Sequence, residues 1–373
     1  MNTQPNSGSG KSNRCLHVSD LERFCAEVFQ SVGLSDEDAR VAADVLVAAD
    51  RRGIPSHGVA RLWRYVNGLR TGLMSTTATP RVIRDTPMSI VIDAQGGMGA
   101  PVSVKAMQAA IEKAETNGAA FGVVRDSNHF GIAGYYAMMA LPQDMLGFAM
   151  TNTAALAVPT FGRQVMFGTN PLAFAAPADR EQGFVLDMST TVVTRGKIEV
   201  YERAGKPLPS GWAVDKRGGP ASDAGAMLED MFHRHGGGIL PLGGAGEDFG
   251  GQKGYGLAVM VDILCAVLGG AATGPDISDT ATSSARVSHF FGAIKIDRFR
   301  DPSGFRTDMD RMLERLRQTP PADGADRVWF AGQKEWEHAA VTETRGIDVP
   351  DAVWESLFKI ASELDVTPPQ PAG

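Results

Sequence analysis

The chain is organised around a twelve-residue stretch near its start, Arg51-Arg52-Gly53-Ile54-Pro55-Ser56-His57-Gly58-Val59-Ala60-Arg61-Leu62. Pro55 disfavours helical backbone at the residue before it, and Ser56 stands where a helix N-cap is expected. The pattern predicts a helix from Ser56, with His57 and Arg61 on one face. An imidazole can transfer a proton near neutral pH, and a guanidinium can hold a carboxylate through two hydrogen bonds. The pair suits chemistry beside a carboxylate, although a capped surface helix with a solvated arginine fits the same residues.

Composition indicates a large folded protein and argues against two classes of partner. The chain has 373 residues, 43% hydrophobic and 21% charged, which suggests roughly two to three domains. A net charge of −7 makes nucleic-acid binding unfavourable, because phosphate contacts need clustered surplus Lys and Arg. The most apolar run, Leu257 to Leu268, contains Asp262 and is too short to cross a bilayer. It predicts a buried helix and no membrane partner.

Cysteine usage and the first residues predict a cytoplasmic protein. Cys15, Cys25 and Cys265 are odd in number and lack CxxC spacing, which favours a reducing compartment. Residues 1–14 are polar and lack the apolar core of a signal peptide, so they predict a disordered tail. Elsewhere, His, Cys and Asp do not cluster at ligand spacing, and we expect no metal.

Candidate ligand groups recur at strand ends and in one glycine stretch. His129 follows a strand-like run, where free backbone N–H groups can meet an anion, although it could simply cap the next helix. Asp187 ends another buried run and could hold a cofactor or bind its own turn. Gly243 to Gly256 has neither dinucleotide-fingerprint nor P-loop spacing. It predicts either a ligand clamp ending in Lys253 or a plain tight turn.

Seven blocks of sequence occur in order along the chain, and they are Arg52-Gly53 with Ser56-His57-Gly58 and Arg61, Ser127-Asn128-His129-Phe130-Gly131, Gly168-Thr169-Asn170-Pro171, Leu186-Asp187-Met188-Ser189, Arg195-Gly196-Lys197-Ile198, Gly251-Gln252-Lys253-Gly254-Tyr255-Gly256 and His289-Phe290-Phe291. Each block alone is a weak signal. As an ordered set spanning about residues 16 to 365, they resemble the malate/L-lactate dehydrogenase family of the non-Rossmann type. That family also contains ureidoglycolate, sulfolactate and diketogulonate enzymes and cyclic-imine reductases.

The resemblance implies an α/β (α+β) fold with a central, mostly antiparallel sheet domain and a helical layer from both chain ends. We expect the helical domain to comprise residues 15–78, joined by residues 304–373. The cofactor- and substrate-binding domain would comprise residues 79–303. The resemblance further implies a homodimer that binds NAD or NADP and a small carboxylate substrate.

The resemblance also carries residue roles onto matching positions. His57 is implied as proton donor and acceptor, with Ser56 as its relay partner and Arg61 on the substrate carboxylate. Some members use the histidine at the position of His129 instead. Further substrate-side positions are Thr169, Arg195 and Gly196. Cofactor-side positions are Ser127, Asn128, His129, Phe130, Gly131, Asp187, Met188, Ser189, Gln252, Lys253, Gly332, Gln333 and Glu335.

Lys197 separates two of the family's activities. Imine-reducing relatives carry Asp there, whereas the hydroxy-acid enzymes carry Lys. The resemblance therefore implies reversible hydride transfer between a nicotinamide and a small L-2-hydroxy acid of the malate, lactate or sulfolactate type. The alternatives are an NADPH-dependent reductase of piperideine- or pyrroline-2-carboxylate and a catalytically silent carboxylate-binding dimer. Two details stay open: Ala331 to Lys334 replaces the family's Pro-Gly-Glu, and surplus basic residues from Arg195 to Arg217 fit either the NADP phosphate or a solvated loop.

Overall fold

The computed structural model describes residues 14–371, and they divide into two compact units. The first unit comprises the residues up to Arg70 together with those from Lys334 on, and the second runs from Thr71 to Gln333. Residues 1–13 of the predicted tail lie outside the described part, whereas Arg14 begins a strand.

The helices are α1 Val18–Ser31, α2 Asp36–Arg51, α3 Leu62–Arg70, α4 Gly99–Asn117, α5 Ala133–Met138, α6 Arg195–Arg203, α7 Ala224–Phe232, α8 Gly251–Asp262, α9 Pro302–Arg317, α10 Gln333–Arg345 and α11 Asp351–Leu364. The strands are β1 Arg14–Leu16, β2 Arg81–Asp85, β3 Ser89–Asp93, β4 Ala119–Ser127, β5 Met145–Thr151, β6 Leu172–Ala176, β7 Phe184–Met188, β8 Ala213–Val214, β9 Gly238–Ile239, β10 Val287–Lys295 and β11 Ile347–Val349. Short 3₁₀ turns cover Pro55–His57, Val59–Arg61, Leu141–Gln143, Gly274–Asp276 and Ile296–Arg298, and a π-helical turn covers Ile263–Val267.

Apolar periodicity builds the helices of the first unit. Helix α1 buries Leu21, Phe24, Cys25, Val28 and Phe29, the residues whose spacing predicts it. Ser35 caps the start of helix α2, because its side chain accepts a hydrogen bond from the Asp38 N–H. Strands β1 and β11 pair antiparallel and tie the two chain ends of this unit together.

A seven-stranded sheet in the order β2-β3-β4-β10-β5-β6-β7 forms the second unit's framework. Within this sheet β3 and β4 run parallel, and the other neighbouring strands are antiparallel. The mostly antiparallel sheet expected from the resemblance is confirmed. The strand register places Ser127, Thr151 and Met188 at the same end of the sheet, where β4, β5 and β7 end. The loops that follow these strands therefore lie together.

Helix α9 falls in the second unit, whereas the sequence analysis joined residues 304–373 to the helical domain. Asp310 of α9 is 2% exposed and accepts hydrogen bonds from the backbone N–H groups of Asp179, Arg180 and Glu181. These contacts attach α9 to the loop after β6. The units divide at 70/71 and 333/334 rather than at 78/79 and 303/304.

Two local expectations are wrong. Ser56 caps no helix, because α3 begins only at Leu62 after the two 3₁₀ turns. The run Leu257 to Leu268 is not fully buried, since Val259, Met260, Ile263, Val267 and Leu268 are between 36% and 61% exposed. Of the helices formed by residues 14–371, none combines the length and apolarity that crossing a bilayer requires.

Candidate active site

Two consecutive 3₁₀ turns after α2 carry the predicted catalytic residues of the first unit. Pro55 starts the first turn, and Gly58 ends it with extended backbone (φ −92°, ψ −153°). That conformation prevents a single helix from running through His57 to Arg61. The second turn is closed by the Arg61 N–H, which donates to the Gly58 carbonyl at 2.9 Å.

His57 and Arg61 lie in two consecutive 3₁₀ turns and not on one face of an α-helix, yet the turns still bring them together. The Ser56 hydroxyl lies 3.0 Å from His57 Nδ1, and Arg61 Nε donates to the Ser56 carbonyl oxygen. Desolvation and then the neighbouring Arg61 charge lower the pKa of His57 to about 4. The imidazole is therefore neutral at pH 7, the form that can accept a proton.

A buried carboxyl, missed by the sequence analysis, lies beneath these turns. Asp50 of α2 accepts a hydrogen bond from the Val59 N–H at 2.7 Å, and burial raises the pKa of Asp50 to about 7. Its sequence signal is its position four residues after Leu46 and seven after Ala43, on the apolar face of α2. A carboxylate on such a face needs a polar partner, which could have singled it out.

In the second unit a buried histidine ties together two of the strand ends. His289 is 0% exposed, with Nδ1 2.8 Å from Thr151 Oγ1 and Nε2 2.9 Å from Ser127 Oγ. Each hydroxyl also contacts a backbone carbonyl oxygen: Thr151 Oγ1 donates to Asn152 at 2.9 Å, and Ser127 Oγ donates to Asn128 at 3.5 Å. The ring stacks on Phe130 at 4.5 Å between centroids.

Two asparagines and an aspartate brace the next loops against α8. Asn152 and Asn170 each donate from Nδ2 to the Asp262 carboxylate, both at 3.1 Å. The Asn170 side-chain oxygen accepts from the Thr153 N–H. These bonds fix the segment that carries Thr169, whose carbonyl oxygen accepts from both the N–H and the hydroxyl of Thr190.

The predicted cofactor-side residues at the end of β7 are hydrogen-bonded to α5, and the residue that follows them, Thr190, is bonded to the segment before α8. Asp187 Oδ2 accepts from the Gly134 N–H of α5 at 2.7 Å, which links β7 to the segment after His129. The Thr190 carbonyl accepts from the Leu242 N–H, and the Leu242 backbone lies against α8. A Cβ at Gly254 would lie 2.1 Å from the Leu242 carbonyl oxygen. Close packing against Leu242 thus accounts for a glycine at position 254 of α8.

The other predicted residues are placed less centrally. Gln252 and Lys253 are exposed in the first turn of α8, and Arg195, Gly196 and Lys197 are exposed in the first turn of α6. Arg195 is paired with Glu199 at 2.7 Å. Gly332 packs against Val185 of β7, and Gln333 is buried. Glu335, together with Ser56, His57 and Arg61, belongs to the first unit, whereas the remaining predicted site residues belong to the second.

Comparison of the sequence with models of known protein families gives a match that spans both units. Residues 16–358 match the family model described as malate/L-lactate dehydrogenase. The chain belongs to this family. It is therefore an oxidoreductase of hydroxy acids, and its chemistry depends on a nicotinamide cofactor.

Similarity to individual family members extends over nearly the whole chain. The malate dehydrogenase of Pyrococcus horikoshii is 40% identical over 93% of this chain and 94% of its own length. The L-sulfolactate dehydrogenase of Methanocaldococcus jannaschii is 35% identical over 94% of this chain and 97% of its own. The crystal structure of malate dehydrogenase from Entamoeba histolytica superposes with a TM-score of 0.91 at 33% identity, covering 96% of this chain and 100% of that one.

The buried histidine gives one testable consequence for the stability of this family member. Burial lowers the pKa of His289 to about 3, whereas an unfolded histidine titrates near 6.5. Between these values the unfolded chain binds the extra proton, so stability falls as the pH falls. We expect His289→Gln to lose less stability than the wild type between pH 7 and pH 5, by about 2 kcal/mol, in urea unfolding followed by circular dichroism.

The matched control is His17→Gln, which removes an exposed imidazole at the start of α1. It should retain the wild-type dependence on pH. Equal pH slopes for wild type and His289→Gln would show that His289 does not remain neutral in the folded protein.

Proposed function

We propose that this enzyme transfers hydride reversibly between NAD or NADP and C2 of a small L-2-hydroxy acid of the malate, lactate or sulfolactate type. The proposal depends on one observation. Two hydrogen-bonded turns hold the His57 imidazole beside the Arg61 guanidinium, and Ser56 contacts both side chains. The names of the similar dehydrogenases support the substrate class.

Proton transfer is assigned to His57. In oxidation the neutral imidazole takes the proton of the substrate hydroxyl, and in reduction its protonated form donates to the developing alkoxide. The Ser56 hydroxyl at Nδ1 orients the ring so that Nε2 serves the substrate. When bound, the nicotinamide cofactor accepts or supplies the hydride.

Arg61 is assigned to the substrate carboxylate. Its planar guanidinium suits bidentate binding, and the bond from Nε to the Ser56 carbonyl fixes its plane. The Arg61 charge is one cause of the low pKa of His57. A bound carboxylate would offset that charge and raise the pKa of His57, so substrate binding favours the protonated imidazole that reduction requires.

The second unit offers groups that fit a dinucleotide. Exposed Asp187 supplies a carboxylate acceptor suited to ribose hydroxyls, and exposed Lys253 supplies a cation at the N-terminus of α8 for phosphate groups. Residues 127–131 follow β4 and residues 187–189 lie at the end of β7, which is the same end of the sheet, whereas Gly332 packs on Val185 within β7. Arg195, one residue of the basic surplus near α6, is paired with Glu199 at 2.7 Å.

Assembly and compartment belong to the same proposal. We assign a homodimer, supported by the apolar face of α8 and its π-turn, where Val259, Ile263 and Leu268 are exposed. A cytoplasmic location is supported by free Cys15, Cys25 and Cys265. Among residues 14–371 no group of three or more His, Cys, Asp or Glu is placed to hold a metal ion.

A substrate panel tests the proposal. Malate, L-lactate, sulfolactate and their 2-oxo acids are assayed at 340 nm with both nicotinamide cofactors, and piperideine-2-carboxylate is assayed with NADPH. We expect one hydroxy or oxo acid to exceed the cyclic imine in kcat/KM by at least about 100-fold. The reverse order would establish the imine reductase, and nucleotide binding without turnover of any acid would indicate a silent binding protein.

A further inference from the structure

The carboxyl of Asp50 contacts the segment that joins His57 to Arg61. Asp50 lies near the end of α2 and is 7% exposed. Its Oδ2 accepts from the Val59 N–H at 2.7 Å, and Val59 begins the second 3₁₀ turn. The bond therefore acts on the backbone midway between the imidazole and the guanidinium.

The same carboxyl also restricts the residue before Val59. A Cβ placed at Gly58 would lie 2.1 Å from both carboxyl oxygens of Asp50. Gly58 has φ −92°, which any residue can adopt, so a side chain is excluded by lack of space and not by backbone strain. The Gly58 backbone is thus packed directly on the carboxyl.

Asp50 is the one charged residue among the buried residues of α2, and the others are Ala, Val and Leu. The Cys25 thiol of α1 is within electrostatic reach, since burial and then the Asp50 charge raise the pKa of Cys25. A buried carboxyl is costly unless hydrogen-bonded. The hydrogen bond from the Val59 N–H offsets that cost. The same bond holds the Val59 backbone against the Asp50 carboxyl.

We propose that Asp50 is a positioning residue that holds the Gly58–Val59 segment and thereby sets both His57 and Arg61 against the substrate. This inference rests on the function proposed above for His57 and Arg61. Because the held segment lies between the two side chains, a loosened segment misplaces both groups at once.

Substitution of Asp50 gives the first test. In Asp50→Ala the Val59 N–H loses its acceptor, and we expect kcat to fall and KM to rise together, for a loss of about 100-fold in kcat/KM. Asp50→Asn keeps a carbonyl acceptor of the same shape and should stay within about fivefold of the wild type. Asp44→Asn, on the same helix but away from the turns, is the matched control and should leave kcat and KM unchanged.

Substitution of Gly58 gives the second test from the other side of the contact. Gly58→Ala places a methyl group against the carboxyl and should lower kcat and raise KM as Asp50→Ala does. In the double variant Gly58→Ala/Asp50→Ala the carboxyl is gone, so the methyl group gains room. We expect the double variant to lose less than the product of the two single losses.

Thermal unfolding and circular dichroism of each variant separate lost folding from lost positioning. Wild-type kcat and KM in folded Asp50→Ala would overturn the inference. If Asp50→Ala does not fold, Gly58→Ala decides, and wild-type kinetics in that folded variant would overturn it equally. If His57→Ala and Arg61→Met also retain full activity, the proposed function itself has failed; if only those two lose activity, the inference about Asp50 alone is wrong.

Discussion

Replacing His57 by Ala is expected to lower kcat by about 10²- to 10⁴-fold in both reaction directions, with a smaller change in KM. The imidazole is the group that takes or gives the hydroxyl proton, and a methyl group cannot replace it. The Ser56 hydroxyl at 3.0 Å from Nδ1 would remain in place but has no ring to orient. Steady-state kinetics with the best acid from the substrate panel measure the effect.

His129→Asn is the variant against which the His57 result is compared. Nδ1 of His129 accepts from the Gly131 N–H at 3.3 Å, so this ring is bonded to its own loop in the second unit. We expect His129→Asn to alter cofactor affinity more than turnover. A variant His57→Ala with near-normal kcat, beside an inactive His129→Asn, would assign proton transfer to His129 instead.

Replacing Arg61 by Met is expected to raise KM for the acid by about 100-fold while kcat falls less. The variant removes the cation proposed for the carboxylate but retains most of the side-chain length. Because the Arg61 charge helps to lower the pKa of His57, its loss should also move the acidic limb of the kcat/KM profile for oxidation to higher pH. That shift reports the charge beside His57, and the rise in KM reports the contact with the carboxylate.

Arg64→Met removes an exposed cation from the next turn of the chain and serves as the matched control. It should keep the wild-type KM and pH profile. An unchanged KM in Arg61→Met, or an equal rise in both variants, would contradict the assignment of the carboxylate to Arg61.

Several elements were predictable because their signals are local. The spacing of Leu21, Phe24 and Val28 predicts α1, and Ser35 predicts the start of α2. Short apolar runs predict β3 and β6 with their observed bounds. His129 and Asp187 were singled out because each lies where a strand-like run ends, and the antiparallel order of the sheet brings the ends of β4 and β7 to the same end of it.

Other features depend on contacts between residues distant in sequence. The helix expected from Ser56 fails because the backbone at Gly58 packs on Asp50 of the preceding helix, and local capping signals do not report that contact. The exposed apolar face of α8 could not be distinguished from a buried helix, since periodicity gives the apolar residues but not what covers them. Asp310 moves α9 into the second unit through backbone groups some 130 positions away.

The sequence by itself determined the family, the helices α1 and α2, the strands β3 and β6, and the presence of an imidazole and a guanidinium in one short segment, because these follow from residue types at short spacings. Only the tertiary structure decided that two 3₁₀ turns and not a helix present that pair, that Asp50 lies beneath them, and that His289 bonds to both Ser127 and Thr151. The physical reason is that a buried polar group is defined by the partner that satisfies it, and that partner is brought near only when the chain folds.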